Sequence, residues 1–84
     1  MRSEELASEV VADLLDVDED GLSPDVRLAD VEGWDSVNAL RVLVYLERAL
    51  GAELDYDAFE RARTLGDMAA VLEPHVSARD GADL

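Results

Sequence analysis

The sequence predicts an all-α protein with a long first loop and a short helix or turn before its last helix. Three segments of the 84-residue chain space their apolar residues at helical intervals. Ser3, Asp35 and Thr64 stand where those segments would begin, and Gly51 and Pro74 where two of them would stop. The length suits one domain with one small core, expected over residues 1–76, with a disordered tail at 77–84.

Ser3 is placed to cap a first helix running from Glu4 to Leu15. Glu4 and Glu5 fall in its first turn, where carboxylates favour the positive end of the helix dipole. Leu6, Val10 and Leu14 recur every fourth residue, widened by Ala7 and Val11 into a core-facing stripe. The next stretch, Asp16-Val17-Asp18-Glu19-Asp20-Gly21, opens like the calcium loop of a helix–loop–helix site. The resemblance then fails: Arg27 stands where the closing bidentate Glu is required, and Pro24 and Ser23 break the pattern before it. No specific metal site is expected. Ser23-Pro24-Asp25 signals a turn, after which Val26, Leu28 and Val31 are expected to drop into the core and anchor the long loop.

Asp35 is suited to be the N-cap of the second and most regular helix, which should run to Leu50 and stop at Gly51. Ala39, Leu40, Val42, Leu43, Leu46 and Leu50 are expected to form its buried face. Val37, Arg41, Val44 and Arg48 form a separate stripe beside Ser36 that suits a partner-docking surface, with Asn38 and Tyr45 further round and solvated. Tyr56 and Phe59 should plug the end of the core from a short helix or turn. Thr64-Leu65-Gly66-Asp67 is a capping-box variant, opening a last helix with Leu65, Met68, Ala69 and Leu72 inward and Glu73-Pro74 as its end. The single histidine, His75, then falls beyond that end as an exposed residue.

Charge and composition narrow the function. A formal net charge of −14 argues against a nucleic-acid backbone or an anionic membrane surface as partner, and suits proteins with basic patches. The absence of cysteine excludes disulfides, thiolate nucleophiles and cysteine metal sites. No segment approaches transmembrane length, and Met1-Arg2-Ser3 leads into an acidic stretch unlike a signal peptide, so a cytoplasmic monomer is expected. One distant histidine, no Gly-x-Ser-x-Gly elbow and no phosphate-cradling glycine loop leave the chain short of catalytic equipment. What it has is Ser36, presented in the first turn of a helix. By spacing alone, Asp35-Ser36 is an ordinary helix start; its setting makes the serine a candidate substrate for another enzyme.

Asp35-Ser36-Val37 resembles the attachment motif of the acyl carrier and peptidyl carrier proteins. Leu28-Ala29-Asp30-Val31-Glu32-Gly33-Trp34, the Leu40–Leu50 segment ending at Gly51, and Thr64-Leu65-Gly66-Asp67 stand at similar spacings, so the resemblance covers residues 4–73. It implies a four-helix bundle with a short third helix. It also implies 4′-phosphopantetheine on Ser36, transferred from coenzyme A by a phosphopantetheinyl transferase, with Asp35 helping that enzyme engage. The arm's thiol would hold acyl or aminoacyl groups as thioesters, supplied by an adenylation enzyme or an acyltransferase and passed to a downstream synthase. Carriers of primary fatty-acid synthesis have a strongly acidic second helix, whereas here Arg41 and Arg48 flank Val37 and Val44. Trp34 before Asp35-Ser36 is similar to free-standing carriers of polyketide or nonribosomal-peptide pathways. The alternative reading is an unmodified acidic helical protein-interaction module, with the stripe as its whole functional surface.

Overall fold

A computed structural model describes the backbone of residues 3–82 and the side chains of residues 3–76. Four α-helices follow in order: α1 (Ser3–Leu15), α2 (Ser36–Leu50), α3 (Tyr56–Arg61) and α4 (Leu65–Ala82). The α1–α2 loop contains two short 3-10 turns, Glu19–Gly21 and Leu28–Asp30. Among the described residues there are no strands, and no helix is long and apolar enough to cross a membrane. α1 packs against both α2 and α4, and α3 packs on α4. The result is the helical bundle anticipated from the chain.

The core is one cluster to which all four α-helices contribute. Leu6, Val10 and Val11 come from α1, Val42, Leu46 and Leu50 from α2, Phe59 from α3, and Leu65, Met68, Leu72 and Val76 from α4. Leu28 and Val31 are buried with them, and Val26 packs partly buried at the edge, so the long loop is anchored as its apolar spacing suggested.

Backbone hydrogen bonds complete that anchoring. Leu28 N–H donates to Arg63 O (2.8 Å), Leu65 N–H to Val26 O (2.9 Å) and Gly66 N–H to Pro24 O (2.9 Å). These bonds supply partners for loop groups and for two of the free N–H groups at the start of α4. The expected capping box is also present: Asp67 N–H donates to Thr64 Oγ1 (3.0 Å), while Asp67 Oδ2 accepts from the N–H groups of Arg63 (3.1 Å) and Thr64 (3.2 Å).

Several expectations need correction. Ser3 is not a free-standing cap; it is buried in α1, and its hydroxyl donates to Glu73 Oε2 on α4. α4 does not end at Glu73-Pro74 but continues to Ala82. Proline there removes one hydrogen bond to Ala70 O, but Ala70 and Pro74 both face solvent and Val76 is buried one turn on, so packing carries the helix through. His75 consequently lies within α4 and is half-buried. Of the expected tail at 77–84, the helical backbone of 77–82 is described and residues 83–84 lie outside the described residues. Leu40 is 47% exposed instead of buried. It sits about 100° round the helix from the mean direction of Val42, Leu43, Leu46 and Leu50, beyond the edge of the core stripe. Tyr56 is 50% exposed at the first position of α3, and only Phe59 of that pair plugs the core.

The carboxylate-bearing start of the long loop is used for backbone geometry. Asp16 takes a left-handed conformation (φ 56°) at the end of α1, where Val17 N–H reaches back to Ala12 O (3.1 Å). Asp18 caps the next turn through a bond from Asp20 N–H (3.0 Å).

Two outcomes follow. An ideal Cβ at Gly66 would stand 3.0 Å from Pro24 O. Gly66→Ala should therefore lose the usual helix gain of about 1 kcal/mol and destabilise by about 1–2 kcal/mol, the scale of overpacking, in urea unfolding. The backbone N–H groups of Arg63 and then Thr64 hold the Asp67 carboxyl below its ordinary 3.8. A depressed folded value means that this cap's charge-linked stability is complete above pH 3.8 and is lost as pH falls through the lower folded value. Asp67→Asn should be less stable than wild type at neutral pH, with the gap closing on acidification, as read by urea midpoints across that range.

Candidate functional site

The site is built where the long loop turns into α2. Trp34 N–H donates to Val31 O (3.0 Å), and the half-buried indole packs against the core, fixing the approach of the chain. Gly33 has φ 86°, a left-handed conformation that side chains seldom adopt. Asp35 is then fully extended (φ −149°, ψ −179°) and acts as the N-cap: Oδ1 accepts from Asn38 N–H (2.8 Å), and its carbonyl accepts the first helical bond from Ala39 N–H (2.8 Å). The expected cap residue and helix boundary are both found.

Ser36 is the first residue of α2 and is exposed. Its hydroxyl has no hydrogen-bond partner among the described residues, and neither do the backbone N–H groups of Ser36 and Val37. A free hydroxyl next to two unpaired donors at the positive end of a 15-residue helix fits a phosphodiester, whose anionic oxygens such groups favour. The far end of the helix is equally well defined. Gly51 (φ 65°) takes the left-handed C-terminal position, and Glu47 O accepts from both Gly51 N–H (2.8 Å) and Ala52 N–H (3.2 Å).

Two surfaces flank the serine. On the α3 side is a groove of about 150 Å³ lined by Trp34, Ser36, Leu40, Tyr56, Phe59 and Ala62. Leu40 and Tyr56, assigned from sequence to the core, instead form the walls of this groove. The helical angle of Leu40 was the one signal that could have placed it there. On the other side, Val37 (65% exposed), Val44 (45% exposed) and Tyr45 line a shallow hollow with Leu40, Arg41 and Leu14 of α1. Val37, Arg41, Val44 and Arg48 are all exposed, as the stripe required. Asn38 departs from expectation: it is half-buried, and its Nδ2 donates to Gly33 O (2.7 Å) while Arg41 Nη1 donates to its Oδ1 (3.1 Å). The sequence offered no clear sign of this, because the contact spans the loop–helix joint.

Comparison with known proteins agrees with this arrangement. The family model described as a phosphopantetheine attachment site matches residues 5–72. An acyl carrier protein of Lactobacillus acidophilus (strain ATCC 700396 / NCK56 / N2 / NCFM) is 27% identical over 78 residues, covering 89% of this chain and 98% of that protein. The match takes in the loop, the α2 start and the capped α4 start. The chain thus belongs to the phosphopantetheine-attachment family of carrier proteins, which do not themselves catalyse a reaction and which bear 4′-phosphopantetheine as a covalent group.

Proposed function

We propose that Ser36 is the residue that bears the phosphopantetheine arm, and that the protein tethers acyl or aminoacyl intermediates in polyketide or nonribosomal-peptide biosynthesis. The observation that carries the first part is the exposed, unbonded Ser36 hydroxyl at the head of α2, inside the span matched by the family. The arm supplies the thiol that the chain lacks. Asp35 holds the turn on which the serine stands and contributes to recognition by a phosphopantetheinyl transferase.

The second part is supported by the charge of α2. Its 15 residues contain one acid, Glu47, and that side chain accepts a bond from Leu54 N–H (2.9 Å). The exposed face is therefore apolar and cationic: Val37 and Val44 with Arg41 and Arg48. Such a face suits an apolar partner surface bearing carboxylates more than the basic patch that an acidic helix would need. The partners proposed for it are the loading enzyme, an adenylation enzyme or an acyltransferase, and the downstream synthase.

Incubation with coenzyme A and a broad-specificity phosphopantetheinyl transferase should add one pantetheinyl mass to the wild type and none to Ser36→Ala. An unchanged wild-type mass beside a working control carrier would overturn the assignment, and full pathway activity from Ser36→Ala would favour an unmodified interaction module. Arg41→Glu and Val44→Glu should slow loading by the cognate enzyme by about tenfold, equivalent to about 1.4 kcal/mol. Both residues are exposed, so the unfolding free energy should change by no more than about 0.5 kcal/mol. Normal loading of both variants would remove the stripe from the interface.

A further inference from the structure

We infer that Asn38 is a positioning residue for the modification of Ser36, an assignment that rests on Ser36 being the attachment residue. Asn38 grips the segment around the serine at two points. Its backbone N–H donates to Asp35 Oδ1 (2.8 Å), and its side-chain Nδ2 donates to the Gly33 carbonyl (2.7 Å). Each bond closes a ring of chain, one from Asp35 to Asn38 and one from Gly33 to Asn38, and Ser36 lies inside both.

The first ring is an ordinary helix cap. The second is not part of helix geometry. It ties the helix to the residue at which the loop reverses direction, where Gly33 holds φ 86° and its own conformational freedom would otherwise let the joint hinge. Arg41 fixes the orientation of the amide. A guanidinium can only donate, so Asn38 Oδ1 must face Arg41 Nη1 (3.1 Å), which leaves Nδ2 directed at the Gly33 carbonyl. Arg41 is itself on the exposed α2 face, so the docking surface and the serine are connected through one side chain.

This matters because of the transfer that takes place at Ser36. The Ser36 oxygen forms a bond to the phosphorus bearing pantetheine, the pyrophosphate P–O bond of coenzyme A breaks, and the adenosine bisphosphate half leaves. The serine proton passes to a base of the transferase. The transferase grips the carrier body, while the nucleophile belongs to the joint between loop and helix. A joint that hinges spreads the hydroxyl over many directions and thins the population aligned for attack. Closing the joint raises that population without adding a contact to the transferase, so its effect falls on kcat and not on KM.

The test compares wild type, Asn38→Asp and Asn38→Ala as substrates for a phosphopantetheinyl transferase with coenzyme A, following the mass addition. Asn38→Asp keeps the backbone cap and the acceptor facing Arg41 but has no donor for Gly33. Rates are normalised to the folded fraction measured by circular dichroism at the assay temperature. The expected result is a fall in kcat of about three- to tenfold in both variants, the scale of one lost neutral hydrogen bond, with KM unchanged. Wild-type kcat in folded Asn38→Asp would overturn the role of Asn38, as would a rise in KM alone. Should Asn38→Ala fail to fold, Asn38→Asp decides. Failure of the wild type to gain the pantetheinyl mass would instead overturn Ser36 as the attachment residue, so the two readings fail by different results.

Discussion

The position of the serine depends on how the 20-residue connection between α1 and α2 satisfies its own backbone. A loop of this length cannot lie against a small core with its amide groups unpaired. Here it borrows partners from the start of α4: Arg63 O, Leu65 N–H and Gly66 N–H pair with Leu28, Val26 and Pro24, and Arg27 and Thr64 face each other in a single antiparallel bridge. The exchange also serves α4, which needs acceptors for its first N–H groups. With Leu28 and Val31 sunk into the core beside these bonds, the chain arrives at Gly33 from a fixed direction, and α2 begins where Asp35 can cap it.

The candidate site residues were largely legible in the sequence because they obey local rules. An N-cap acid, a serine in the first turn, a helical apolar stripe and a glycine stop each act within a few residues of chain, and Asp35, Ser36, the α2 stripe and Gly51 are all found as expected. The misreadings share a different cause. Leu40 and Tyr56 are apolar residues whose surroundings are decided by the gap between α2 and α3, which no single-helix pattern records. Pro74 obeys a local rule that tertiary packing overrides, since Val76 is held in the core beyond it. Ser3 looks like a cap, yet its hydroxyl finds Glu73 at the other end of the chain. Asn38 was assigned to solvent because its partner, the Gly33 carbonyl, sits in irregular chain with no periodicity to read.

A carrier asks little of its body beyond rigidity at one point and recognisability around it. Seventeen buried apolar residues, among those described, form a single cohesive core, which suffices for the first requirement. Apolar side chains on α2 and α3 stay uncovered around the serine, at a solubility cost that the strong net charge offsets. The groove on the α3 side and the hollow on the α1 side share Leu40 and differ otherwise in lining; Ser36 opens onto the groove, and its neighbour Val37 onto the hollow.

The inward turn of Glu47 has an electrical consequence. α2 carries two guanidinium groups, Arg41 and Arg48, against the one partly buried carboxylate of Glu47, which is turned toward Leu54 N–H, on a body of net charge −14. The molecule is therefore polarised, with a cationic island in an anionic sea. An approaching enzyme with carboxylates on its surface feels a torque before it feels a contact, and the rotational search for a productive encounter shortens. That guidance reaches about one Debye length, about 8 Å at physiological ionic strength, so it sorts orientations only in the last moments of approach and leaves longer-range collisions to repulsion.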